Sequence, residues 1–174
     1  WGFNSLIDMK NKFIFLLFVG LLFSSCTESM QYNNEPKLQA VKGNDQWEAY
    51  TSSAVAATAK ITLVGIGDNE SVTLKMELPE DFVAQGDEST YLTYVLGRGG
   101  MNQATYVSQW GGKILRYETE NGKGDGEIVI TNYDGVTISG TFRFNAANSV
   151  MDGTQQETVN FKEGKFYKIP ITFN

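Results

Sequence analysis

The chain has 174 residues, which is enough for one domain with a substantial hydrophobic core. It contains no histidine and one cysteine, Cys26, so histidine-dependent catalytic triads, disulfide frameworks and zinc sites built from cysteine or histidine are excluded. The formal net charge is -6. Because lysine and arginine supply most of the affinity for phosphate backbones, nucleic acid is not expected as a partner.

The residues before Cys26 have the three-part pattern of a secretory signal. The chain opens with Trp1 and not with methionine, and residues 1–8 are interpreted as an upstream extension or artefact. Residues 9–25 begin with methionine, carry two lysines, continue with an apolar run over residues 13–23 and end in two serines. As a helix this run is about 16 Å long, too short for a hydrocarbon core of about 30 Å. Residues 9–25 therefore predict a signal peptide and not a membrane span.

The only cysteine lies directly after this segment. The run from Leu22 to Cys26 resembles a bacterial lipobox, in which a diacylglycerol is attached to the cysteine thiol and cleavage makes that cysteine the new N-terminus. Phe23 stands where leucine is usual, and the alternative is a simple signal followed by an incidental cysteine. The sequence predicts lipidation of Cys26 and a protein anchored in the cell envelope, at the outer membrane, facing either the periplasm or the surface. Residues 26–44 are polar, without sustained periodicity, and are predicted to form a flexible tether.

Residues 45–174 are predicted to form a single all-β domain, because apolar and polar residues alternate with a period of two. In residues 136–145, for example, Phe142 falls on one face of the predicted strand and Thr141 on the other. The predicted architecture is an antiparallel β-sandwich or flattened barrel of about ten strands. The predicted strands are Trp47–Val55, Lys60–Ile66, Val72–Leu78, Tyr91–Leu96, Ala104–Trp110, Ile114–Glu120, Glu127–Tyr133, Val136–Asn145, Thr158–Phe161 and Lys165–Phe173.

Links rich in glycine, aspartate and asparagine separate these strands and favour antiparallel hairpins, since parallel connections need a dozen or more residues. Pro170 lies within the last predicted strand, and a proline there places the strand at a sheet edge or at a bulge. The only plausible helical turn covers residues 78–86. The predicted links are residues 67–69, 97–100, 110–112, 121–126, 134–135 and 163–164.

Several segments together resemble a known family. The lipobox is followed by Trp47, which opens the first predicted strand, by GEIVITNYDGVTISGTFRFNA at residues 126–146 and by VNFKEGKFYKIPI at residues 159–171. This arrangement resembles an uncharacterised family of Bacteroidota lipoproteins, classed as a domain of unknown function. The resemblance covers most of residues 45–174 and implies a β fold and an envelope location. Its motifs are hairpin signatures that carry no catalytic residue.

Carboxylates are the main remaining candidates for acid–base catalysis. Glu118 and Glu120 share a face of a predicted strand with Arg116, a pattern interpreted as a solvated face with an ion pair.

Calcium binding needs only carboxylate and carbonyl oxygens. The two candidate pairs for it are Asp125 with Glu127 and Asn132 with Asp134. Their spacing matches no calcium loop, and these residue types suit hairpin turns for backbone reasons, so no metal and no cofactor is predicted.

Aromatic residues are the best remaining candidates for ligand binding, because sugar rings stack on exposed aromatic faces. Most aromatic residues in strands pack in the core, but Trp110 lies beside Gly111 at a predicted turn and is expected to be exposed. Tyr106 and Trp110 share one face of a predicted strand, and they are the candidate ligand-binding pair. The full set is Trp47, Tyr91, Tyr94, Tyr106, Trp110 and Tyr117.

The sequence favours a non-catalytic binding or structural domain whose partners are the membrane, through the lipid anchor, and a glycan or envelope protein. The first alternative is a carbohydrate-binding accessory lipoprotein of a glycan-uptake system, which requires a planar row of exposed aromatic rings. The second alternative is a carboxylate-based glycosidase, which requires two carboxylates at roughly 5 to 9.5 Å in a cleft.

Overall fold

The computed structural model describes three segments of the chain, residues 35–77, 92–149 and 157–174. The chain divides into two units, Trp1–Asn33 and Asn34–Asn174, and every described residue belongs to the second. The predicted signal peptide, Cys26, the predicted helical turn and Tyr91 all lie outside the described residues.

The described residues form eleven β-strands and no helix, which confirms the predicted all-β class. The strands are β1 (Lys37–Lys42), β2 (Asp45–Glu48), β3 (Thr51–Ala57), β4 (Lys60–Ile66), β5 (Glu70–Glu77), β6 (Leu92–Leu96), β7 (Gln103–Trp110), β8 (Lys113–Glu118), β9 (Asp125–Tyr133), β10 (Thr137–Asn148) and β11 (Thr158–Phe173). Their burial alternates as the sequence pattern predicts; in β5, for example, Val72, Leu74 and Met76 are buried and the residues between them are not. Within these three segments nothing helical is long and apolar enough to cross a membrane.

All eleven strands belong to one mixed sheet that closes on itself. β11 is its central strand: it pairs antiparallel with β1 and β10, while Ile171–Phe173 pair parallel with β3. From β3 the sheet continues through β4, β5, β7 and β8, and the end of β10 joins β8 at Ala147 and Asn148. These pairings complete a circuit that fits a flattened barrel. The β11–β3 pairing is the one departure, among the described strands, from the predicted antiparallel arrangement.

Three of the predicted links form hairpins. Residues 67–69, 110–112 and 134–135 connect β4 to β5, β7 to β8 and β9 to β10, and in each case the two strands pair with each other. The hairpins predicted at residues 97–100 and 121–126 are wrong, because β6 pairs with β9 and β8 pairs with β7 and β10.

Close packing explains the glycines in these two crossing loops. The Gly122 N–H donates to the Gly97 carbonyl at 3.1 Å. A side chain at Gly97, whose φ is 79°, would overlap the carbonyl oxygen of Gly124. The glycines permit two loops to touch, which the sequence pattern does not distinguish from a tight turn.

The link predicted at residues 163–164 is also wrong, because β11 runs through it as one strand. Glu163 has a φ of 54°, and two residues of β11 oppose one of β10 there, which makes a β-bulge. A second shift in register lies at Lys168, whose φ is 47°. Pro170 follows it, which confirms the predicted bulge near this proline.

The flexible tether predicted for residues 26–44 is wrong at Lys37–Lys42, which form β1. Leu38 and Ala40 are buried there, and the strand pairs with β2 and β11. Only two side chains of β1 face the core, which is too few to produce a clear alternation in the sequence. The single strand predicted for Trp47–Val55 is divided into β2 and β3, which pair with different partners.

Candidate functional site

Four of the six candidate aromatic residues pack in the core: Trp47, Tyr94, Tyr106 and Tyr117. The Tyr106 ring lies between Tyr117 and Phe161, with centroid distances of 5.7 and 5.2 Å. Tyr106 therefore presents no open face to a sugar, contrary to the prediction for this residue. The face of β7 that carries Tyr106 is directed into the barrel. Trp110 lies on the same face of β7, but beyond the last residues that pack in the core.

Trp110 is 82% exposed, as predicted. It opens the turn between β7 and β8, in which Gly111 and Gly112 both have positive φ and Trp110 pairs with Lys113. The pairing of β7 with β5 ends at Ser108. The tip of the hairpin therefore projects beyond the neighbouring strand, and this projection exposes the Trp110 ring.

Three further apolar side chains are exposed at the same end of the molecule. Tyr50, Ile66 and Ile114 are 77%, 52% and 69% exposed. The Tyr50 N–H donates to the Ile66 carbonyl at 2.8 Å, so these two residues are neighbours. Ile114 pairs with Gln109, whose N–H donates at 2.8 Å to Asn69 in the turn that follows Ile66. We call these three residues and Trp110 the apolar rim.

The chain enters the domain beside the apolar rim. The carbonyl of Leu38, in β1, accepts the N–H of Ala49 at 2.9 Å, and Ala49 directly precedes Tyr50. The Leu38 side chain packs so closely on Gly65 that a side chain at that glycine would overlap it. Lys37 forms an ion pair with Glu48 at 3.2 Å. The first described strand is thus fixed against the residues that lead into the rim.

A polar cluster formed by Lys42, Glu70 and Tyr106 lies behind the rim. Lys42 forms an ion pair with Glu70, and its Nζ lies 3.1 Å from the Tyr106 hydroxyl and 5.2 Å from the ring centroid. Burial lowers the pKa of Lys42, but its hydrogen bonds to Glu70 and Tyr106 outweigh burial, so the pKa is raised. Burial raises the pKa of Tyr106. Neither Lys42 nor Tyr106 is poised for proton transfer near neutral pH, and the cluster holds three strands together.

The two candidate catalytic carboxylates have separate partners. Glu118 accepts a hydrogen bond from Arg116 at 2.5 Å, the ion pair that the sequence predicts. That hydrogen bond lowers the pKa of Glu118 in spite of partial burial. Glu120 lies 3.8 Å from Lys123 in the following turn. A carboxylate with a lowered pKa is unsuited to donate a proton to a leaving group.

The candidate calcium ligands are engaged by protein groups. Asp125 accepts a hydrogen bond from Asn145 at 2.8 Å, and Glu127 accepts one from Arg143 at 3.0 Å. Asp134 caps its turn by accepting the Thr137 N–H at 2.6 Å, and this bond, with that from Val136, lowers the pKa of Asp134. Within the described segments no three acidic or cysteine side chains are grouped as a metal site.

A shallow pocket of about 270 Å³ lies on the outer face of β9, β10 and β11. It contains two carboxylates, one of which is Glu127, already paired with Arg143. The lining residues are Glu127, Thr141, Phe142, Arg143, Glu163, Gly164 and Lys165. The lining also contains Arg143 and Lys165, and the pocket is open, so it does not isolate a carboxylate in the way that a glycosidase cleft does.

The sequence comparisons agree with the start of the domain at β1. Residues 34–170 match the family described as a domain of unknown function, DUF6252. The chain belongs to the DUF6252 family. No curated protein and no solved structure gives a significant match. The DUF6252 match begins just before β1, in agreement with a domain that starts at Lys37 and not at residue 45.

Three members of the apolar rim of this DUF6252 domain were not predicted from the sequence. Tyr50 falls inside a predicted strand, and Ile66 and Ile114 have the alternation of ordinary strand residues. One signal was present: Ile66 and Ile114 each lie next to a glycine-containing turn, on the strand face opposite the buried residues. Only the pairing of the strands brings these positions to one end.

Proposed function

We propose that the DUF6252 domain is a non-catalytic binding domain of a cell-envelope lipoprotein, anchored to the outer membrane through Cys26. The observation that carries the binding role is the apolar rim, because four large apolar side chains exposed at one end of a small domain indicate a contact surface. The signal-like residues 9–25 directly before Cys26 support the anchor. The resemblance to Bacteroidota lipoproteins supports the same location.

A second candidate is the carbohydrate-binding accessory lipoprotein, which the exposed Trp110 ring favours. The other described aromatic residues of the candidate set are buried, so Trp110 would act as a single stacking residue and not as part of a row. The glycosidase receives no such support. Each of the candidate carboxylates already forms an ion pair or a hydrogen bond: Glu118, Glu120, Asp125 and Glu127.

The anchor is tested by expressing the full chain in a Gram-negative bacterium with a labelled fatty acid. The wild-type chain should incorporate the label and fractionate with membranes, whereas Cys26→Ala should lose both. Ser24→Ala, which keeps a small residue before the cysteine, is the matched control and should behave as wild type. Acyl labelling that persists in Cys26→Ala would show that Cys26 is not the lipidated residue.

The binding role is tested with a panel of glycoside and ester substrates and a glycan array. Wild type, Trp110→Ala and a Glu118→Gln/Glu120→Gln double variant should all show no turnover. Turnover that disappears in the double variant would establish an enzyme and refute the proposal. Glycan binding that is lost only in Trp110→Ala would favour the carbohydrate-binding candidate.

A further inference from the structure

We propose that the turn at Asn121 and Gly122 is a site of spontaneous modification, at which the Asn121 amide converts to isoaspartate, and that contact with Gly97 restrains this reaction. The inference is independent of the proposed anchor and of the apolar rim. The turn lies between β8 and β9, in the crossing loop whose Gly122 contacts Gly97.

The reaction needs only the residues of the turn and water. The Gly122 backbone nitrogen loses its proton and attacks the side-chain carbonyl carbon of Asn121, which closes a succinimide ring. The bond from that carbon to the side-chain nitrogen breaks, and ammonia leaves with the proton. Water then adds to one of the two ring carbonyls and one ring C–N bond breaks, which leaves aspartate or isoaspartate.

The glycine that follows Asn121 distinguishes it from the other asparagines of the chain. Gly122 has no Cβ to obstruct the approach of its nitrogen, and this is the only Asn-Gly pair in the sequence. Asn121 is exposed, and none of the described residues forms a hydrogen bond with its side chain. Both the amide and the water that opens the ring are therefore available at this turn.

The Asp-Gly pairs in the described segments are restrained by their own hydrogen bonds. The Asp134 carboxylate accepts the N–H groups of Thr137 and Val136 at 2.6 and 2.9 Å, and Asp125 accepts a side-chain hydrogen bond at 2.8 Å. The bond from Thr137, and then that from Val136, lowers the pKa of Asp134 and keeps it ionised. An ionised carboxylate is a poor electrophile, so ring closure is favoured at Asn121 instead.

The native backbone restrains the attacking nitrogen. The Gly122 N–H donates to the Gly97 carbonyl at 3.1 Å. On either side of it, the Glu120 N–H donates to the Lys123 carbonyl at 2.9 Å and the Lys123 N–H to the Glu120 carbonyl at 3.0 Å. Because the nitrogen must lose its proton before it attacks, the hydrogen bond to Gly97 has to break first. The reaction therefore proceeds from a locally opened turn, and its rate reports this opening.

The modification changes the backbone and not only the side chain. Isoaspartate inserts one additional carbon into the main chain, so the turn no longer fits both the Glu120–Lys123 pairing and the contact with Gly97. That contact joins the loop after β6 to the turn before β9, and β9 is the only described strand with which β6 pairs. The modified chain is therefore expected to unfold at a lower temperature than the unmodified chain.

The test incubates the purified full chain at mildly alkaline pH, folded in buffer and unfolded in guanidinium chloride. Mass spectrometry of the peptide that contains Asn121 measures the conversion of amide to acid, and electron-transfer fragmentation identifies isoaspartate. Conversion should be at least several-fold faster in the unfolded chain, with isoaspartate as the main product. Asn69 and Asn132 are exposed and are followed by Glu70 and Tyr133, so they should stay largely unmodified and serve as internal controls.

Two glycine variants test the restraint in the folded protein. Gly97→Ala, at a φ of 79°, places a Cβ on the Gly124 carbonyl oxygen, so it should loosen the crossing loops and raise the conversion rate at Asn121 several-fold. Gly112→Ala is the matched control, because Gly112 has a φ of 77° but lies in open space in the β7–β8 turn. It should leave the rate at Asn121 unchanged. Circular dichroism shows whether each variant folds.

The outcomes separate the modification site from its restraint. If the unfolded chain shows no conversion at Asn121, or conversion as rapid at Asn69 and Asn132, the site is wrong. Equal rates at Asn121 in the folded and unfolded chain overturn the restraint, as does a folded Gly97→Ala that reacts no faster than Gly112→Ala. If Gly97→Ala does not fold, the comparison of folded with unfolded wild type still decides.

Discussion

At the scale of single residues, burial separates the two faces of β10. Phe142 is buried and stacks on Phe144 at 6.1 Å between ring centroids, whereas the adjacent Thr141 is exposed. The sequence predicts both faces correctly here, because a strand with one packed face must alternate.

A charge should lower the stability of the domain much more on the buried face of β10 than on its exposed face. Phe142→Asp buries an unpaired carboxylate and should lower the free energy of unfolding by several kcal/mol. Thr141→Asp leaves the charge in water and should change it by about 0.5 kcal/mol or less. Denaturant titration of both variants provides the comparison, and equal losses would show that the faces are assigned wrongly.

The Arg116–Glu118 ion pair gives a dependence of stability on pH. The pKa of the Glu118 carboxyl is lower in the folded than in the unfolded chain, so its contribution is fully present above the ordinary value of 4.5. That contribution is lost as the pH falls through the lower, folded value. We expect Glu118→Gln to be less stable than wild type at neutral pH by at most about 1 kcal/mol, because Arg116 is half exposed.

Chemical denaturation of wild type and Glu118→Gln from about pH 6 down to about pH 3 measures the contribution of the Glu118 carboxylate to the free energy of unfolding. The difference between wild type and Glu118→Gln should shrink as the pH falls. Glu120→Gln is the matched control, since Glu120 lies 3.8 Å from Lys123 in an exposed turn and its loss should matter little. A difference that is constant across the range would contradict the argument.

At the scale of strands, two glycines have different roles that the sequence does not reveal. Gly140 lies in the middle of β10, where a Cβ would overlap the Val129 carbonyl oxygen and the Phe166 ring. At Gly67, between β4 and β5, the nearest atoms to a Cβ are at 3.4 Å, which is ordinary contact.

We therefore expect Gly140→Ala to destabilise the domain by about 1–3 kcal/mol through overpacking. Gly67→Ala should be close to neutral, because its backbone conformation does not need glycine. Thermal unfolding of the two variants distinguishes them. Equal stability of Gly140→Ala and wild type would mean that β9, β10 and β11 are less closely packed than described.

The same scale shows what sequence reasoning can and cannot supply. Alternation locates β4 at its observed bounds and β5 to within two residues, because their buried faces repeat every second position. It does not supply the partners of β6 or the parallel pairing of β11 with β3, since those contacts join residues far apart in the chain. Local glycine signals were assigned to hairpins at residues 97–100, where they serve contact between loops.

At the scale of the whole molecule, the candidate surface arises from topology. The sequence predicts that Trp110 is exposed, from its position beside a turn, but Tyr106 on the same face is buried in the core. Tyr50, Ile66 and Ile114 join Trp110 only because β4 and β7 end, and β3 and β8 begin, at the same edge of the sheet. The first described strand, β1, lies beside Tyr50 and Ile66.

The most direct test of the account is the mass of the N-terminal peptide of the mature protein, isolated from membranes of cells that express the full chain. The proposed lipoprotein predicts a peptide that begins at Cys26 and carries a diacylglyceryl group on the thiol, with residues 9–25 removed. A mature N-terminus at another residue, or an unmodified Cys26 in the membrane fraction, would contradict it.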